Sequence, residues 1–393
     1  MQVFAPTSEA DAAAIVADAH ALRRPLSIEG NGSKRGLGRP IETPAVLRMS
    51  GLRGIVAYEP EELVITLRAG TPLGEVEAEL AEKNQCLAFE PGSWSFEANA
   101  SATIGGTVAA GVAGSRRISL GGARDHLIGF RAINGEGNIF KAGGKVVKNV
   151  TGYDLPKLAA GSFGTLFALT ELTLRTYPRT AMPTSLFVRD LDIDKACTLL
   201  RKVAGSSWEA TGLCYLPRVA LDRLVGPFDG AQSLTIVRFE GGGESMAARA
   251  LGCATALMPS ATIVADERSQ LLWQQLLLLK VFQLARTLWR ISLPPLAAPR
   301  ALAMLRPDCF AVDWAGGLLW VEHAGAGPNA DEVHAVARQL GGHAMLFRGS
   351  DEMRRTSPVF APRDAATMAL TQRLKAAFDP AGLFNPGRMY AEV

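Results

Sequence analysis

Three stretches of this sequence give up side chains where a chain normally packs them. Residues 102–122, "ATIGGTVAAGVAGSRRISLGG", hold six glycines and four alanines in 21 positions. "IEGNGSKRGLG" (28–38) and "AAGSFGT" (159–165) are similarly bare. Glycine lets a ligand or another backbone approach the main chain without meeting a Cβ. Successive free N–H groups then form concave anion sites of the kind that hold phosphates. A single loop of this sort is explained by a tight turn. Three of them, each beside a β-type run, point to an anionic ligand. The dinucleotide fingerprint of a Rossmann fold is not met, because Arg35 stands where the third glycine of G-x-G-x-x-G belongs and "RPIETP" cannot open a helix.

The elements that must carry these loops are legible around them. Residues 8–22 read as a helix capped by Ser8, followed by strands in "RPLSIEG", "AVLRMS", "GIVAYEP" and "ELVITLRAG". Residues 72–84 read as a helix with Pro72 in its first turn. "HLIGFRAIN-GEG-NIFKAG" predicts a hairpin, and 164–178 alternates as a strand closing on Pro178. From about Met182 glycine thins out and a strand–helix pattern begins. Strands are expected at 233–241 and 316–325, and helices at 244–257, 269–289 and 329–340. The tail, 370–390, carries a helix and then turns at Asp379-Pro380 and Asn385-Pro386-Gly387.

Composition bounds the function class. At 393 residues the chain exceeds one ordinary core, which favours two domains. With 48% apolar and 20% charged residues and a net charge of +3 with interspersed signs, it is an ordinary globular chain without a nucleic-acid face. Cys86, Cys197, Cys214, Cys253 and Cys309 are scattered, with no C-x-x-C, so reduced cytosolic thiols are expected, with no metal cluster on this chain. The N-terminus lacks a signal-peptide pattern. The greasy stretch 271–289 is broken by Gln274, Gln275, Lys280, Gln283 and Arg286, and reads as an amphipathic helix of a core or a docking interface, not a membrane span.

Four phrases in this order carry a resemblance: "PLSIEGNGSKRGLG", "FEPGSWSFEANASATIGGTVAAGVAGSRRISLGGARDHLIG", "GGKVVKNVTGYDLPKLAAGSFGTLFALTEL" and "AAFDPAGLFNPGRM". The chain resembles the vanillyl-alcohol-oxidase/PCMH superfamily and, within it, the FAD-binding E subunits of bacterial glycolate oxidases. The resemblance is dense over 1–180, clear at the C-terminus and loose between. It implies an α+β protein: a PCMH-type FAD-binding domain of two α/β subdomains cradling FAD (1–180), an α+β cap or substrate domain (181–350), and a C-terminal segment returning to the FAD domain (351–393).

What the resemblance implies can be placed residue by residue. Gly30, Asn31, Gly32, Ser33 and Lys34 would surround the FAD pyrophosphate, with Ser33 adding a hydroxyl donor. Some relatives carry a flavin-linking histidine beside this loop; Ser33 holds that place here, so dissociable, non-covalent FAD is expected. Pro91, Gly92, Ile104, Gly105, Gly106, Ala109, Gly114, Ser115, Gly121 and Gly122 would run beside the flavin and its phosphates. Gly161, Gly164 and Thr165 would approach the adenine half, and Asn385 the isoalloxazine. Lys148, Tyr153 and Asp154 would sit near the flavin ring, where a positive charge stabilises the reduced anion. The alternative is Asp154 capping a turn and pairing with Lys148 at the surface.

The second domain is less informative. "VEHAGAGPNADEVH" (321–334) faintly resembles a metal motif of catalytic relatives, but Ala326 replaces its acidic residue, so His323 is expected to be no ligand and no metal site is assigned. His126, His334 and His343 have no reinforcing spacing. Arg290 in "TLWRISLPP" is the candidate for a substrate carboxylate, with a salt bridge on a strand as the alternative. The resemblance thus implies a cytoplasmic FAD enzyme that takes hydride from a small 2-hydroxy acid. Its implied partners are a homologous larger FAD subunit and an iron–sulfur subunit, and any membrane contact would go through them. The alternative is a non-catalytic FAD-holding subunit whose homologous partner oxidises the substrate.

Overall fold

The computed structural model describes residues 2–393 apart from 93, 95–99, 145–152, 181, 227, 229, 326 and 327. Packing divides the chain into two units, one of Met1–Ala113, Gly121–Pro178 and Pro362–Val393, the other of Gly114–Leu120 and Arg179–Ala361. The return to the first unit therefore begins at 362 rather than 351. Residues 351–361 stay with the second unit, where Phe360 bridges Met345 and the Pro358 carbonyl meets His334 Nε2 at 2.9 Å.

The first unit has two cores. In one, helix α1 (Glu9–Ala21) packs Ala12, Val16 and Ala19 against a parallel sheet of β1 (Gln2–Phe4), β2 (Leu26–Glu29) and β3 (Ala45–Arg48), in the order β1–β3–β2. Ser8 caps α1 as expected, its hydroxyl accepting from Asp11 N at 3.1 Å, and Glu9 and Asp11 complement the helix dipole. The other core is an antiparallel sheet of β4 (Ile55–Glu59), β5 (Val64–Arg68), β6 (Leu127–Ile133), β7 (Ile139–Gly143) and β8 (Ala168–Arg175), in the order β4–β5–β8–β6–β7. Helices α2 (Leu73–Glu82), α3 (Ile104–Ala110) and α4 (Leu155–Ala159) accompany it. The expected β6–β7 hairpin forms, with Asn134 Oδ1 accepting from the amides of Glu136 and Asn138.

The second unit is built on eight antiparallel strands: β9 (Thr184–Arg189), β10 (Gly212–Pro217), β11 (Ser233–Phe239), β12 (Thr262–Val264), β13 (Thr287–Ser292), β14 (Cys309–Asp313), β15 (Leu318–His323) and β16 (His343–Arg348). Their order is β12–β9–β11–β10–β14–β15–β13–β16. Helices α5 (Ile193–Ala204), α6 (Gly243–Leu257), α8 (Ala298–Leu305) and α9 (Ala330–Gln339) bury Leu200, Cys253, Leu302 and Val333 in its main core. The expected helix over 271–289 is corrected. Helix α7 (Glu267–Leu277) stops where Leu279 turns to φ 53°, and a short 3₁₀ turn follows before β13 begins. The run mixes two elements: Trp273 belongs to the helix, whereas Leu288, Trp289 and Ile291 are strand residues fully buried between neighbours on both sides. None of the five cysteines forms a disulfide.

Chain 362–393 closes the first unit through α10 (Ala365–Phe378) and the turn after it. Lys375, almost fully buried, donates to Asp379 at 2.7 Å and to the carbonyls of Thr165 (2.6 Å) and Phe384 (2.7 Å). Asp379 in turn accepts from the amides of Leu383 and Phe384. This lays Leu383–Asn385 along the edge of β2, with Leu26 N donating to Leu383 O and Asn385 N to Leu26 O. Burial pushes the Lys375 ammonium down and Asp379 offsets it. Removing one member of a buried pair strands the other charge. Lys375→Met is therefore expected to cost about 3–5 kcal/mol in a denaturation experiment. Lys195→Ala, which breaks an exposed pair with Asp192, should leave the unfolding midpoint unchanged.

Candidate functional site

A cleft of about 860 Å³, part of it open to solvent, lies in the first unit, walled by residues from both of its cores. One wall is the end of β2 and the loop after it, running from Ser27 to Arg35. Facing it are Ala69, Thr103, Gly105, Gly106 and Ala109, and Phe163, Gly164, Phe167, Asn385 and Arg388 complete the lining. The first loop is glycine at 30 because a Cβ there would fall 2.1 Å from Thr103 Oγ1, and at 32 because φ is +80°.

The bare stretch at 102–122 has more than one cause. Thr103 caps α3, its hydroxyl accepting from Gly106 N at 3.3 Å. A Cβ on Gly105 would lie 2.8 Å from both the Cβ and the carbonyl oxygen of Ala69, so this glycine serves backbone packing. At Gly106 the nearest obstacle is Thr103 Oγ1 at 3.2 Å, and the residue lines the cleft. Gly122 is held by its amide donating to Asp125 Oδ2 at 2.8 Å, and Gly121 packs on the same side chain. Gly114 and Ser115 belong to the second unit. There Gly114 O accepts from Trp314 Nε1 at 3.2 Å and Ser115 donates to Asp313 at 2.6 Å, while Arg116 pairs with Glu240.

The electrostatics of the cleft are lopsided. Lys34 Nζ donates to the Trp94 carbonyl, and burial pushes its ammonium down to about 8. No carboxylate pairs with it among the described residues. Glu29, the acid of the same wall, is already claimed by Arg35 (2.7 Å) and Arg48 (3.0 Å). Burial opposes its charge, but the two guanidiniums hold its carboxyl below the ordinary range. What this wall lacks is an anion.

The first 143 residues match the family described as "FAD binding domain", and 355–389 match "FAD linked oxidases, C-terminal domain". Glycolate oxidase subunit GlcE of Escherichia coli is 39% identical over 373 residues, 94% of each chain. The chain belongs to the FAD-linked oxidases, in the family of GlcE. Glycolate oxidase subunit GlcD of Bacillus subtilis is 24% identical, covering 99% of this chain and 89% of its own. Among solved structures, p-cresol methylhydroxylase with substrate bound superposes with a TM-score of 0.69 at 14% identity, covering 99% of this chain and 88% of its own. 4-Ethylphenol oxidase from Gulosibacter chungangensis gives 0.70 at 13%, covering 99% and 89%. The fold is the PCMH type that the phrases implied.

The cleft fits FAD. An ammonium with no carboxylate partner among the described residues and a glycine loop suit a pyrophosphate, and Phe163 and Phe167 supply apolar surface. Of the residues expected at the cofactor, Gly30, Asn31, Gly32, Ser33, Lys34, Gly105, Gly106, Ala109, Gly164 and Asn385 line the cleft. Pro91, Gly92, Ile104, Gly114, Ser115, Gly121, Gly122, Gly161 and Thr165 do not. Ile104 is fully buried in the core, Gly92 packs under the Trp94 indole, and the Thr165 hydroxyl donates to Ser162 O. Asn385 spans the cleft's two sides, accepting from Ile28 N at 2.8 Å and donating to Phe163 O at 2.7 Å.

Of the catalytic candidates, Tyr153 belongs to the first unit and Arg290 to the second. Lys148 lies outside the described residues. Tyr153 is 91% exposed, and Asp154 caps α4 and pairs with Lys157. In the second unit Arg290 stands over Trp314, 5.1 Å from its centroid, and burial together with Arg117 pushes its guanidinium down to about 10. The expected salt bridge is absent: among the described residues no carboxylate bonds to it. His323 is buried beside the Arg223–Glu322 pair, and no cluster able to hold a metal occurs among the described residues. Thr103 and Arg388 were missed; the Thr-Ile-Gly-Gly order before a helix is the N-cap signal that marks the first.

The charge of Lys34 gives a pH dependence with a definite sign. Without FAD the ammonium is expected to lose its proton as pH rises through about 8, and a bound pyrophosphate would restore it, so binding takes up a proton at high pH. The FAD Kd is expected to be flat below that pH and to rise up to about tenfold per unit above it. In fluorescence titrations, Lys34→Met should raise Kd at neutral pH and flatten this rise.

Proposed function

We propose that this chain is the FAD-binding subunit of a glycolate, or small 2-hydroxy acid, oxidase complex. It holds FAD without a covalent link, oxidises the acid and passes electrons to an iron–sulfur partner. The observation that carries this reading is the cleft itself, where a buried ammonium with no counter-ion among the described residues joins a glycine loop. The similarity to GlcE over nearly its whole length supports the choice of substrate class. No histidine, cysteine or tyrosine lines the cleft among the described residues, which supports dissociable FAD.

Bound FAD supplies the acceptor for the hydride that leaves the hydroxyl-bearing carbon. The chain's own residues then have separate duties. Gly30 to Ser33 and Lys34 would hold the pyrophosphate, and Asn385 would brace the cleft wall between Ile28 and Phe163. Arg290, to which no carboxylate is hydrogen-bonded among the described residues, would take the carboxylate of the substrate in a two-pronged contact. We place the complex in the cytoplasm, with any membrane contact made through partner subunits. Among the described residues no helix is long and apolar enough to cross a membrane.

A second reading is favoured by one observation: among the described residues no His, Cys, Asp and Glu gather into a metal-capable cluster. On that reading the chain holds FAD while a GlcD-like subunit oxidises the acid. Anaerobic addition of glycolate or D-lactate to the FAD-loaded chain separates the two. Bleaching of the flavin bands is expected, slowed about tenfold or more in Arg290→Met. No bleaching until a GlcD-like subunit is added would establish the accessory role instead.

A further inference from the structure

The C-terminal turn does more than close the first unit. Arg388 reaches back across the chain to the loop that presents Lys34. Its Nη2 donates to the carbonyls of Lys34 at 2.9 Å and Arg35 at 3.1 Å, and its Nη1 to that of Arg39 at 3.5 Å. The main chains are tied as well, because Arg39 N donates to Arg388 O at 2.8 Å. The loop is moulded to this contact: Gly38 has φ +78°, and a Cβ there would fall 2.9 Å from Arg388 O. Arg388 is held in turn by its amide donating to Asn385 O at 3.1 Å, so two cleft residues share one anchored turn.

We propose that Arg388 is a positioning residue for the cofactor loop, fixing Lys34 so that its ammonium meets the FAD pyrophosphate. The physical case rests on polarity. Carbonyl oxygens facing a phosphate site would repel it, and the Arg388 guanidinium engages those of the cleft residues Lys34 and Arg35. Nη2 bridges the consecutive carbonyls of Lys34 and Arg35 while Nη1 reaches that of Arg39, a fixed spread of donors on two nitrogens that a single ammonium does not reproduce. Lys34 is thereby held at both ends, its own carbonyl on Arg388 and its Nζ on the Trp94 carbonyl. Nothing in the loop's immediate sequence announces this contact, since the partners lie 349 to 354 positions apart.

The test reads FAD binding by fluorescence quenching, not turnover, and so stands apart from the reaction proposed above. Arg388→Ala and Arg388→Lys should each weaken FAD roughly ten- to a hundredfold, as for loss of hydrogen bonds to a charged group. In a Lys34→Met background the same substitutions should add little, because the residue they position is gone. Arg363→Ala breaks another tie of the same tail, to Tyr390 Oη, and should keep the wild-type Kd. The proposal is overturned by wild-type affinity in Arg388→Lys, by an undiminished penalty in the Lys34→Met background, or by an equal loss in Arg363→Ala.

Discussion

An ammonium removed from water demands a negative charge, and Lys34 has none among the described residues of the protein. Burial alone pushes it down to about 8, well below the ordinary lysine range. A protein that only needed to fold could place a neutral side chain there. Glu29, the acid within reach of the same wall, is committed to Arg35 and Arg48. The charge balance of the cleft closes when an anion enters, and the glycine loop before Lys34 leaves room for one beside the main chain.

Holding such a site open requires rigidity from elsewhere in the chain. That rigidity comes from the last thirty-odd residues, where the buried Lys375–Asp379 pair organises the turn leading to Asn385 and Arg388. Neither residue of the pair touches the cleft. Their contribution is to make one short turn the meeting point of both cores of the first unit, through Ile28 on one side and Phe163 on the other. A buried ion pair is weak evidence for net stability, yet it specifies one arrangement of the groups around it.

The sequence disclosed the elements where periodicity and caps were local. Ser8, the Asn134 hairpin and the strands around the glycine loops are all read from neighbours a few residues apart. It misled where one apolar run served two elements, as at 271–289, because burial on all sides erases the period that separates helix from strand. The glycines show a related limit. Composition marks a position where a side chain is unwelcome, but Gly105 avoids the Ala69 backbone, Gly122 accommodates a cap, and Gly106 faces the cleft. These causes look alike in one dimension. Ser115 and Gly114 lie within the same glycine phrase yet pack with Asp313 and Trp314, some 200 positions away, a pairing no local pattern encodes.

The most direct measurement is an absorbance spectrum of the purified chain, repeated on the supernatant after acid precipitation. The account predicts flavin bands that pass wholly to the supernatant and are identified there as FAD. Flavin retained in the pellet would contradict a cleft that binds by charge and shape alone. So would a chain that stays colourless after soaking with FAD.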